Sequence, residues 1–183
     1  MVQSQADAPL QWLSIQANGD LARGRDLDNE AWGVIEIGHY TTDFALCDRG
    51  AMMEYAAVSC PGMHLVYDGM SSALAMAKLP TSLDVVECAV RTGGIKHFGE
   101  RVDISPLLNQ AKAGFEAMVM DEANRVFGQK AAVLDGIIVG GGGAEILFDG
   151  LKQRYPNAVC SNEPRMMVAE GFCRLGLLSL RQC

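Results

Sequence analysis

No stretch of this sequence approaches the roughly 20 consecutive apolar residues that cross a bilayer, and no two of its six cysteines form a CxxC pair. Cys47, Cys60, Cys88, Cys160, Cys173 and Cys183 lie far apart, several within apolar strand or helix patterns. We therefore expect reduced, buried thiols rather than a disulfide framework or a zinc site, and, with no signal peptide legible, a cytoplasmic protein. Runs of Lys or Arg are also absent. Fifteen basic residues against 22 acidic ones leave a net charge of −7, a surface that repels phosphate backbones, so neither a direct nucleic-acid partner nor a membrane is expected. The three histidines, His39, His64 and His97, have no partner at metal-ligand spacing. Neither a GxSxG elbow nor a GxxxxGK[ST] string occurs, which sets aside those hydrolase and P-loop classes.

What the chain does have is enough apolar content, 49% of 183 residues, to bury one substantial core. It also has four consecutive glycines, Gly140 to Gly143, between an apolar run at 136–139 and a helix opening at Ala144-Glu145. Glycines there remove every Cβ between a strand and a helix N-terminus, so a ligand could press against backbone whose unpaired amides face it. Taken alone, the same four residues also read as a flexible strand-to-helix turn.

In chain order, Leu10, Leu13 and Ile15 give residues 1–18 the apolar face of a short helix, and 19–30 read as an exposed loop. Three strands are predicted next, over 33–39, 41–48 and 51–59, with Asp48-Arg49-Gly50 as a hairpin turn. Helical spacing of Leu65, Val66, Met70, Ala73, Leu74 and Ala77 predicts a helix ending before Pro80, and a short one is expected over 83–90. GERVDI reads as an extended piece. Ser105-Pro106 opens a long helix, with Ser105 as its side-chain cap and Leu108, Ala111, Phe115, Met118, Val119 and Val126 as its buried stripe, ending at Gly128. The remainder reads as strand, glycines, helix (Ile146, Leu147, Leu151), strand (158–160) and a final helix with Pro164 at its start and Met167, Phe172 and Leu175 inward. Met166 and Met167 read as core.

The strings GVIEIGHYTTDFAL, GIIVGGGGAEILFDGLKQRYP and NEPRMMVAEGFCRLG together resemble the second phosphate and adenosine motifs of actin-like ATPases, closest to the ParM/StbA plasmid-segregation branch. The resemblance reaches from about the N-terminus to Gly176. It implies an α/β, ribonuclease H-like domain with a mixed central sheet flanked by helices, residues 1–30 being an interdomain connection and loop and 31–183 the second ATPase domain. Because no glycine-rich hairpin of a first domain precedes Glu36, the chain is expected to be the second half of a longer protein.

The resemblance also implies ATP or ADP with Mg²⁺. Gly38, His39, Tyr40 and Thr41 would wrap the β- and γ-phosphates, and Glu36 would face the metal through water. Asp43 would orient the turn or the metal's waters, or simply stabilise the turn. Gln5 would position the attacking water, a role Gln3 matches as well. Gly141, Gly142 and Gly143 would carry the adenosine and α-phosphate, with Glu145 near the helix start, where it also complements the helix dipole. Arg165 and Met166 would border the adenine. Two departures from the family pattern, Glu36 for aspartate and His39 for glycine, put hydrolysis in doubt more than binding. The complete protein is expected to form ATP-dependent filaments for DNA segregation, coupled through a DNA-binding adaptor. The other readings are a non-catalytic interaction protein, a sugar kinase or chaperone ATPase, and a nuclease, the last disfavoured by the acidic surface.

Overall fold

The computed structural model describes residues 7–181, so Gln3 and Gln5 lie outside the described residues. Its centre is a mixed sheet in the order β3 (Ala51–Met52), β2 (Thr41–Asp48), β1 (Ala31–Ile37), β7 (Gly136–Gly140) and β8 (Ala158–Cys160), with β4 (Val58–Pro61) also pairing β2. β1 and β2 run antiparallel, whereas β7 runs parallel to both β1 and β8.

Alternation along the strands feeds two separate cores. Ile35, Ile37, Phe44, Leu46, Ile137 and Val139 point to one face, and Trp32, Val34, Ala45, Cys47 and Ile138 to the other. Both faces are buried, which is why these strands read as continuous apolar runs rather than polar alternations. The first face is covered by α2 (His64–Met76), α3 (Leu83–Thr92), α4 (Ser105–Phe127) and α5 (Ala144–Arg154). The second carries α1 (Ala8–Ser14) and α6 (Met167–Arg181). Three layers result. Trp32 fills the second core and needs a glycine beneath it, since a Cβ on Gly136 would lie 2.2 Å from its ring.

Several expectations require correction. The third predicted strand is broken: β3 and β4 both pair β2, but the 3-10 turn Glu54–Ala56 interrupts them and buries only Ala56. GERVDI is half of a hairpin, in which β5 (Gly94–His97) pairs β6 (Glu100–Asp103) around Phe98-Gly99. Ser105 does not cap α4. It is the first helical residue, its amide donates to Asp103 Oδ1 at 2.9 Å, and its hydroxyl donates to the Gly93 carbonyl. Within α4, Phe115, Val119 and Val126 are buried as expected, Leu108, Ala111 and Met118 are only half-buried, and Ala123 and Phe127 join the buried set.

Ile15 lies beyond α1, in a bridge with Leu21. On α6, Met167 is buried, but Phe172 faces solvent and Leu175 is half-buried. Met166 is 49% exposed rather than core. Among the described cysteines all are free: Cys47 is buried, Cys60, Cys88 and Cys160 are half-buried, and Cys173 is exposed. Among the described residues no helix is long and apolar enough to cross a membrane.

Candidate functional site

Two turns meet at the C-terminal ends of β1 and β7, the edge where open α/β sheets place ligands. The first, between β1 and β2, is closed by the Gly38 amide donating to the Thr41 carbonyl at 2.8 Å. Its three carbonyls are taken up by the start of α2: the amides of Met63, His64 and Gly62 donate to Gly38, His39 and Tyr40 at 3.0, 2.8 and 2.8 Å. A turn held at three consecutive carbonyls has little freedom.

The second turn runs from Gly140 to Gly143. Gly141 has φ +81° and donates to the Pro164 carbonyl, while Gly143 donates to the Ile37 carbonyl, each at 2.9 Å. A Cβ on Gly141 would lie 2.3 Å from the Ile37 oxygen, and one on Gly143 2.2 Å from Ile37 Cγ2. These two glycines are therefore required by the close approach to β1. Gly142 differs, because its added Cβ would meet only the Arg165 side chain, at an ordinary 3.5 Å.

This corrects the expectation that the glycine amides stand free. The amides of Gly38, Gly141 and Gly143 are used within the fold, and those of His39, Tyr40 and Gly142 have no hydrogen-bond partner among the described residues.

A cavity of about 420 Å³ opens between the turns, α2 and α3. Of the residues expected at the site, Gly38, His39, Gly142, Gly143, Glu145 and Arg165 line it. Tyr40 and Thr41 do not: the Tyr40 ring is 76% exposed, and the Thr41 hydroxyl donates to Asp43 Oδ2 at 2.9 Å. Asp43 also accepts from the Ser59 hydroxyl, so it ties β2 to β4 and the turn. Glu145 and Arg165 pair with each other at 3.2 Å on the rim, an exposed contact worth at most about 1 kcal/mol.

The far wall carries no sequence motif. Met63 immediately precedes α2 and Tyr67 lies on it, Glu87, Val90 and Arg91 come from α3, and Ile146 from α5. Helical periodicity located α3 but could not say which of its faces meets a glycine turn 50 residues away. The structure also brings together His39 and His64, widely separated in sequence, with ring centroids 6.4 Å apart.

Glu36 stands between the two turns. It is paired across the sheet with Asp43 on one side and Gly140 on the other, and a Cβ on Gly141 would lie 2.9 Å from its Oε1. Burial pushes its carboxyl above the ordinary glutamate range, and the Asp43 carboxylate pushes it further. Because the folded pKa is raised, stability is fully present below the unfolded value and declines as pH rises from there through the folded pKa. Glu36→Gln is therefore expected to stabilise the ligand-free chain at pH 7, by about 0.2–1 kcal/mol as for a like-charge cross-strand pair, and to give no gain below about pH 4. Urea titrations of both proteins across that range check it; a destabilised Gln variant at pH 7 would contradict the reading.

Among the described residues no three His, Cys, Asp or Glu side chains gather as a metal group. A Mg²⁺ ion held largely by waters and phosphate needs only one or two carboxylates, and the strained Glu36–Asp43 pair offers oxygen donors that a cation would relieve.

No curated protein sequence matches the chain. Residues 34–153 match the family described as archaeal actin homologue MreB-like, C-terminal. Among solved structures, the apo psk41 ParM protein superposes with TM-score 0.73 at 19% identity, over 98% of this chain and 50% of that one. A 15-stranded ParM filament from Clostridium botulinum gives 0.72 at 21%, over 81% and 46%. Ta0583, an archaeal actin homologue, gives 0.76 at 14%, over 98% and 55% in its native form, and its complex with ADP gives 0.65 at 14%, over 84% and 50%. At these identities the likeness is one of fold, and this chain spans about half the length of each. The mixed sheet, the paired turns at its C-terminal edge and the matched residues agree: the chain belongs to the archaeal MreB-like actin homologues, whose C-terminal domain it carries.

Proposed function

We propose that this chain is the nucleotide-binding half of an actin-type ATPase that assembles into filaments, with ATP or ADP and Mg²⁺ as its ligands. One observation carries the reading: the β1–β2 turn and the glycine turn, 100 residues apart in sequence, are locked together by the Gly143 amide on the Ile37 carbonyl and open onto a single cavity. The free amides of His39, Tyr40 and Gly142 are the donors left for phosphate oxygens. Glu36, with Asp43 behind it, would hold Mg²⁺ through water, and the cavity between Tyr67, Glu87, Arg91 and Arg165 would take the nucleoside. The ADP complex of Ta0583 and the ParM filament support this by analogy of fold.

In the complete protein, Gln5 would position the attacking water, and ATP would favour head-to-tail contacts that do not close into rings and so give filaments. A role in DNA segregation, acting through a DNA-binding adaptor in the cytoplasm, follows the ParM likeness. Sedimentation of the complete protein with and without ATP tests the filaments.

A second reading, a non-catalytic interaction protein with the same fold, is favoured by the internally committed amides of Gly38, Gly141 and Gly143 and by Glu36 and His39 at the turn. Thermal unfolding with millimolar Mg·ADP or Mg·ATP decides between binding and no binding. A ligand at 100 times its dissociation constant adds roughly 2.7 kcal/mol. Gly142→Asp is expected to remove that gain while leaving the ligand-free midpoint nearly unchanged, because Gly142 alone among the three has room for a side chain. No nucleotide shift in the wild type would hand the lead to the second reading.

A further inference from the structure

The phosphate end of the cavity is short of positive charge. Two arginines line it, but Arg165 is already paired with Glu145 at 3.2 Å, and Arg91 shares the α3 wall with Glu87. No lysine lines the cavity. The group that stands on the turn itself and can carry charge is the His39 imidazole.

Its position is set rather than loose. The backbone of His39 is held through its carbonyl by the His64 amide at 2.8 Å, and its ring sits edge-on to Tyr40 at 4.7 Å and tilted against Tyr67 at 5.5 Å. Both neighbours are aromatic rings that restrict rotation of the imidazole. Neither ring nitrogen of His39 has a hydrogen-bond partner among the described residues, whereas His64 Nδ1 lies 3.2 Å from the His39 carbonyl. The titratable and charged groups around it are Glu36, Tyr40 and Asp43 on its own hairpin, His64 and Tyr67 on α2, Glu87 and Arg91 on α3, Glu145 on α5, and Arg165.

Resting on the nucleotide reading above, we infer that His39 is a side-chain phosphate ligand of this site, donating to the terminal phosphate in its imidazolium form and so making nucleotide affinity fall as pH rises. An imidazole changes charge between about pH 5 and 8. If only the charged form donates, affinity drops by up to about tenfold per pH unit once the ring is mostly neutral, and a triphosphate, with more charge to meet, loses more than a diphosphate.

The test is calorimetric titration of the chain with Mg·ADP and Mg·ATP at pH 6.0, 7.0 and 8.0, for the wild type, His39→Gly, His39→Lys and His64→Gln. The expected result is an affinity that falls at least fivefold from pH 6.0 to 8.0 in the wild type and in His64→Gln. In His39→Gly the profile is flat at the weaker value, and in His39→Lys flat at the tighter one. Retention of the wild-type profile by His39→Gly overturns the inference and leaves the nucleotide site standing. Transfer of the effect to His64→Gln overturns it in the same way. Absence of heat and of thermal protection with either nucleotide at pH 6.0 overturns the nucleotide reading and this inference together.

Discussion

Gly62→Ala is expected to destabilise the chain by about 3 kcal/mol and to abolish any nucleotide-dependent rise in its unfolding midpoint. The added Cβ would lie 2.6 Å from the Thr41 amide nitrogen and 2.7 Å from the carbonyl oxygens of both Gly38 and His39. All three are backbone atoms, so no side chain can rotate away, and overpacking of that kind costs typically 1–3 kcal/mol. Relief requires α2 to back off from the turn, which stretches the bonds from Gly62, Met63 and His64 that hold it; each is worth about 1 kcal/mol. Gly114→Ala is the control. Its Cβ would meet nothing within 4 Å on α4, so it should gain about 0.5–1 kcal/mol from helix propensity. Denaturant unfolding of both variants checks the pair, and a Gly62→Ala protein as stable as the wild type would mean that the turn and α2 are not joined as described.

Arg174→Ala is expected to cost about 2–3 kcal/mol, through the opposite layer. Its guanidinium donates to the carbonyls of Trp12 at 2.5 Å and Ile15 at 3.0 Å, pairs with Glu170 at 2.9 Å and lies 5.6 Å from the Trp12 ring. Those carbonyls close the C-terminal end of α1, where a helix leaves acceptors without intrahelical partners. Hydrogen bonds from a charged donor contribute about 1.5–3 kcal/mol, and here one side chain satisfies two acceptors and joins α1 to α6. Gly171 makes the approach possible, since a Cβ there would fall 2.0 Å from the Ala8 oxygen. Hydrogen exchange should show the loss as early opening of residues 8–15, with β1 and β7 still protected. Uniform exchange across the sheet would instead mean that α1 is integral to the main core.

The local pattern of residues was sufficient for much of the site. Gly140 to Gly143 between an apolar run and a helix start is a local arrangement, and β7, α5 and β8 lie where the pattern predicts. The β1–β2 hairpin was legible for the same reason, since two short apolar runs and the turn between them are properties of neighbouring residues. Hydrogen-bond commitments were not. Whether Gly141 and Gly143 offer their amides to a ligand or to Pro164 and Ile37 depends on how closely β1 and the 3-10 turn Pro164–Met166 approach, and no residue type announces that distance. Tyr40 likewise sits in the motif yet turns its ring to solvent.

The sequence by itself determined the β1–β2 hairpin, the β7–glycine–α5–β8 succession and the helical stretches α2 and α4, because strand, turn and helical spacings are enforced by backbone geometry within a few residues. Only the tertiary structure decided that α3 supplies Glu87 and Arg91 to the far wall, that His39 and His64 stand side by side, and that Gly142 alone of the glycine run has room beside the cavity. These depend on the packing of elements 25 to 100 residues apart, where burial of apolar area drives association without specifying which polar side chains are carried to the edge.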